Sequence, residues 1–127
     1  MQALVSYPAP LEAWRLQHFG TAANTGDAAN EADPDKDGLT NFTEYAFGLS
    51  PVDRTGSALP EFRHNGTGFT TTFAAPEGRD NLLYTAEWSA TMQPGTWTAI
   101  PDSGTGGTHT FSVSGSVDRV FVRYVLR

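Results

Sequence analysis

The residues best suited to chemistry lie in one run: Asp33-Pro34-Asp35-Lys36-Asp37-Gly38-Leu39-Thr40-Asn41-Phe42-Thr43-Glu44. Carboxylates at alternate positions of a tight turn converge on one point, and like charges held together repel unless a cation lies between them. Read as a twelve-residue calcium loop, the run has an oxygen donor at each required position. Asp33, Asp35 and Asp37 take positions one, three and five, and Gly38 takes the sharp turn at six. Leu39 offers its backbone carbonyl at seven. Asn41 sits at nine, binding directly or through a water, and Glu44 at twelve can bind bidentate. Calcium takes six to eight oxygens in a loose cage; magnesium prefers a rigid octahedron and its own waters, and suits this set less well. The plain alternative is a solvated acidic turn, in which a glycine at position six would be coincidence.

The charge balance isolates the same segment. The chain of 127 residues has 8 Lys and Arg against 14 Asp and Glu, a net charge of −6. From Asp27 to Glu44 six acids (Asp27, Glu31, Asp33, Asp35, Asp37, Glu44) face one base, Lys36, which leaves −5 in that window. Asp27 and Glu31 are therefore further candidate donors. The rest of the chain is nearly neutral, without the clustered Lys and Arg that nucleic-acid phosphates require. A cation is the expected partner. No run reaches the ~18–20 apolar residues of a membrane helix, so membrane insertion is not expected. With no cysteine, disulfides, thiolate metal sites and cysteine catalysis are excluded.

Two kinds of segment must position the loop. Pro10, tolerated in a first helical turn, opens a helical stretch over Leu11–Phe19 that Gly20 can close. Leu11, Trp14, Arg15 and His18 share helical spacing, as do Leu16 and Phe19. A second helix is predicted over Asn41–Leu49, with Phe42, Tyr45, Ala46 and Leu49 on one face. Residues 51–59 read as a linker. Beyond it, alternating patterns predict strands at Glu61–His64, Phe69–Phe73, Tyr84–Ser89, Thr96–Ile100, Thr108–Val113 and Val120–Leu126, separated by Gly- and Pro-containing turns. Short strands at this spacing suggest a small antiparallel sandwich. The expected architecture is α+β: a helical calcium-loop segment over 1–50 and a β-sandwich-like segment over 60–127. The helices are too short to bury their own faces and are expected to pack on the sandwich in one cooperative unit.

The run from Asp33 to Tyr45, DPDKDGLTNFTEY, resembles the calcium loops of dockerin-like and thrombospondin type 3-like repeats of secreted bacterial proteins. The wider frame of LEAWRLQHFGT, the loop, EYAFGLSP, LLYTAEWSATMQPGTW and a closing FVRYVLR resembles a C-terminal accessory module of large extracellular proteins. That resemblance implies a non-catalytic module of a longer chain, located outside the cell or at its surface. Two alternative readings stand beside it: a carbohydrate-binding module using exposed aromatics, with a polysaccharide as partner, and a protein–protein or surface-attachment module, with a surface protein as partner. The first eight residues have neither the basic nor the apolar region of a secretory signal. Three departures separate the loop from paired calcium sensors. Position eight is Thr40 rather than an aliphatic residue, no second loop follows, and no helix is predicted immediately before Asp33. The resemblance therefore implies a structural ion, without cohesin binding or calcium sensing.

Catalytic patterns are weak. His18, His64 and His109 are isolated in sequence and lack zinc-ligand spacing, and no nucleophile elbow is present. Gly104–Gly107 reads as a hairpin turn rather than a phosphate loop. Asp80 with Glu87, or Asp102 with Asp118, would form acid–base pairs only if the fold joined them. Trp14 and Trp88 are expected inside. Trp97, with Tyr7, is the candidate platform for a sugar ring, and such a thin platform predicts no strong glycan affinity. Arg79, Arg119 and Arg123 are expected as cross-strand partners of acids such as Glu87. The chain is thus expected to be a calcium-stabilised accessory domain without catalysis.

Overall fold

The computed structural model describes residues 9–53, 59–79, 81–114 and 120–127. Tyr7, Asp80, Asp118, Arg119 and positions 54–58 of the expected linker lie outside the described residues. The chain is α+β and divides into two compact units, 1–58 and 59–127.

In the first unit, α1 spans Pro10–Phe19, with Pro at the first turn. It stops at Gly20, whose N–H bonds the Leu16 carbonyl at 3.1 Å. The buried side of α1 is Trp14 and Arg15; Leu16, predicted on an apolar stripe, is 45% exposed. A single 3-10 turn, Gly26–Ala28, follows. Helix α2 spans Asn41–Phe47. Its Thr40 cap accepts the Thr43 N–H at 3.3 Å, which satisfies one of the amides left open at a helix start. The predicted end at Leu49 is two residues too far. Gly48 turns left-handed and the Leu49 N–H folds back to the Glu44 carbonyl at 2.8 Å, closing the helix. Trp14 joins the helices, its ring lying 5.7 Å from that of Tyr45 and 6.1 Å from that of Phe19, in edge-on contacts.

The second unit contains β1 (Arg63–His64), β2 (Gly68–Ala74), β3 (Tyr84–Ser89), β4 (Thr98–Ile100), β5 (Thr108–Ser114) and β6 (Phe121–Leu126). They form two three-stranded antiparallel sheets, ordered β1-β2-β5 and β4-β3-β6. Alternation places Ala86 and Ile100 of one sheet and Phe111 and Val113 of the other in a single core. Phe73, Trp88, Val122 and Tyr124 pack against it. Burying a side chain such as Phe111, 1% exposed, is worth about 1.5–3 kcal/mol. Gly68 allows β2 to reach β5, since a Cβ there would lie 1.9 Å from the Val113 carbonyl oxygen. The register sets Glu87 opposite Arg123, and Nε reaches Oε1 at 2.9 Å, the cross-strand pair expected for this arginine. β1 and β4 are shorter than predicted, pairing only at Arg63–His64 and Thr98–Ile100.

Candidate metal centre

The acidic run folds as a loop closed at its base by backbone hydrogen bonds. The Asn41 N–H donates to the Ala32 carbonyl at 2.8 Å, and the Phe42 N–H to the Asn30 carbonyl at 3.0 Å. The first turn of α2 is thereby tied to the residues leading into Asp33. Arg15 holds the same lead-in from α1: its Nη2 donates to Asn30 Oδ1 at 2.7 Å and its Nη1 to the Ala22 carbonyl at 3.1 Å.

Inside the loop the aspartates curl the chain around themselves. Asp33 accepts the N–H groups of Asp37 at 3.3 Å and Gly38 at 3.0 Å. Asp37 Oδ1 accepts the Leu39 N–H at 2.9 Å. Lys36 and Gly38 take positive φ, 58° and 90°, which reverse the chain tightly enough to turn alternate side chains inward. At Gly38 that conformation strongly favours glycine.

Asp33, Asp35, Asp37 and Glu44 each offer an oxygen, and those oxygens all lie within 4.8 Å of one another. Oxygens on opposite sides of a calcium ion stand about 5 Å apart, twice its bond length, so the group matches the span of one hard cation. The group could hold a metal ion.

Glu44 distinguishes the cluster from a solvated acidic turn. It is 0% exposed, and neither carboxylate oxygen has a hydrogen-bond partner. Asp35 Oδ2 is likewise buried without one. A buried polar atom without a partner is costly, and a buried carboxylate more so. Burial, and then the charges of Asp35, Asp37 and Asp33, push the Glu44 carboxyl up to about 8. Burial, and then the neighbouring Asp37, also raise Asp35. A cation at the centre of the four oxygens would reverse both effects.

Asn41 has a second task that its spacing did not disclose. Its Nδ2 donates to the carbonyls of Asp27 at 2.6 Å and Ala29 at 2.8 Å, which leaves only the buried, unpartnered Oδ1 for a ligand. Leu39 is half-buried and follows the bend at Asp37 and Gly38. Asp27 and Glu31 are exposed and lie outside the four-acid group. Arg15, the clamp on Asn30, was legible only as one residue of a helical stripe.

Trp97, the candidate sugar platform, is half-buried, with the Arg123 guanidinium 4.1 Å from its ring centroid. His109 is not isolated in the fold. Its Nδ1 lies 2.7 Å from Asp102 Oδ2, across the hairpin predicted at Gly104–Gly107. No helix among the described residues is long and apolar enough to cross a membrane.

The chain matches no family model, no curated protein and no solved structure.

Proposed function

We propose that residues 33–44 form an EF-hand-like calcium loop, and that the chain is a non-catalytic accessory domain whose ion is structural. The observation that carries this reading is the Glu44 carboxylate, fully buried, unpartnered and grouped with three aspartates. Calcium suits the donor set because every donor is a hard oxygen, gathered from the loop and the first turn of α2. A structural role is supported by the position of the loop: Asn41 and Arg15 tie its base to α2 and α1. The likeness of DPDKDGLTNFTEY to loops of secreted bacterial proteins supports an extracellular or cell-surface setting, within a longer chain. Extracellular calcium modules bind at about 10⁻⁴–10⁻³ M, which is the affinity expected here. Thermal melting of the full chain in chelator, in calcium and in magnesium tests the proposal. Calcium should raise the midpoint well above magnesium, and equal midpoints in chelator and calcium would refute it.

A further inference from the structure

A group of polar side chains remote in sequence from the acidic loop lines a cavity in the β unit. A cavity of about 410 Å³ opens where β2 ends and where β3 and β5 begin, and its lining includes Pro76, Glu77, Arg79, Leu82, Tyr84 and His109. That volume falls within the range of small-molecule sites.

His109 is held in this wall by two aromatic rings and a carboxylate. Its ring lies 4.6 Å from that of Tyr84 and 5.4 Å from that of Phe73, and the side chain is 15% exposed. Asp102 orients it. One Asp102 oxygen takes the His109 Nδ1, while the other accepts the N–H groups of Gly104 and Thr110, both at 2.9 Å. Burial opposes ionisation of Asp102, but these hydrogen bonds prevail and hold its carboxyl below the usual range. A carboxylate that takes the Nδ1 proton fixes the ring's orientation and leaves Nε2 as its remaining polar atom. The other polar groups are complementary. Glu77 contributes an acceptor. Arg79 contributes donors and is steadied by a bond from its Nη1 to the Glu77 carbonyl at 2.9 Å. Among the described lining residues these two carry opposite charges, while Pro76, Leu82 and Tyr84 supply apolar wall.

We propose that this cavity binds a neutral saccharide of one or two sugar units. Sugar hydroxyls both donate and accept, which matches a wall holding a guanidinium, a carboxylate and an imidazole nitrogen. The C–H face of a sugar ring suits the apolar side. A neutral ligand is favoured because, among the described residues, the wall carries one arginine and one glutamate, with Asp102 already engaged behind His109. This places sugar binding away from Trp97, where the sequence suggested it.

The test is an NMR titration of the full chain in calcium, following the His109 and Tyr84 ring signals. The probes are cellobiose, maltose and N,N′-diacetylchitobiose, with inorganic phosphate as an anionic control. At least one disaccharide should shift both rings saturably. Arg79→Gln and Glu77→Gln, at half-buried and exposed positions, should each weaken that binding about tenfold while leaving the remaining spectrum in place. The proposal is overturned if none of the disaccharides moves the two rings, if both variants bind as well as the parent, or if the shifts centre on the Trp97 indole. It is equally overturned if phosphate alone shifts the rings saturably, which would mark an anion pocket.

Discussion

The side-chain amide of Asn41 donates to the Asp27 carbonyl at 2.6 Å, joining the first residue of α2 to the 3-10 turn that precedes the acidic loop. A second bond from the same nitrogen reaches the Ala29 carbonyl at 2.8 Å. Asn41 therefore holds the loop's foundation, whereas Glu44, three residues on along the same helix, brings a buried carboxylate to the acidic group.

Those separate duties predict opposite mutant behaviour. Asn41→Ala removes the side-chain partner of the Asp27 carbonyl and one of two partners of the Ala29 carbonyl, and should cost about 1–3 kcal/mol of stability with or without calcium. Glu44→Gln replaces a carboxyl that must hold its proton in the metal-free fold by a neutral amide, so it should raise the melting point of the metal-free chain at and above neutral pH while abolishing its response to calcium. Melting curves of both variants in chelator and in calcium decide the matter. Parallel shifts in the two variants would contradict the division of roles.

The raised Glu44 carboxyl gives a pH dependence of definite sign. In the metal-free chain the folded form keeps the Glu44 proton up to about pH 8, whereas the unfolded chain releases it near the ordinary carboxylate value of about 4.3. The folded state thus binds more protons in that window. Its stability from this group is fully present below the unfolded value and is lost as pH rises through about 8. Calcium displaces the same proton, so calcium affinity should increase over this interval, with proton uptake by the buffer near neutrality. Melting in chelator between about pH 5 and pH 8.5 should show a falling midpoint that calcium flattens or reverses. A midpoint in chelator that rises with pH would be the wrong sign.

Gly38 sits at a φ of 90° with nothing within 4 Å of the place a Cβ would occupy. Replacement by alanine is thus penalised by backbone conformation rather than by collision, at about 1–2 kcal/mol. The loop should then lose calcium affinity as well as stability, because the turn that aims Asp33 and Asp37 would relax. Gly38→Ala binding calcium as tightly as the parent would show that the turn does not set the donor geometry.

The readings that succeeded rested on local physics. Pro10 and Gly20 bracket α1 by their own backbone preferences, and alternation along Tyr84–Ser89 marks β3 because one face must be buried. The spacing of Asp33, Asp35, Asp37 and Glu44 brought the metal-grade group into view, since converging acids need a reason. What stayed hidden depends on partners distant in sequence. Arg15 reaches Asn30 through tertiary packing, and no helical period announces a buried guanidinium as a clamp. The predicted hairpin at Gly104–Gly107 brings its two flanks together, but nothing in the spacing of Asp102 and His109 marks them as a pair. Leu16 misled because hydrophobicity alone assigned it to a buried stripe that the helix turns toward solvent.

Calorimetric titration of the metal-free full chain with calcium measures the central claim most directly. Binding should be saturable at one ion per chain, weaker for magnesium, and absent in Glu44→Gln. At a calcium concentration one hundred times the dissociation constant, that binding should add about 2.7 kcal/mol to the folding free energy. A chain that takes up no calcium, or a Glu44→Gln variant that binds it as the parent does, would contradict the account.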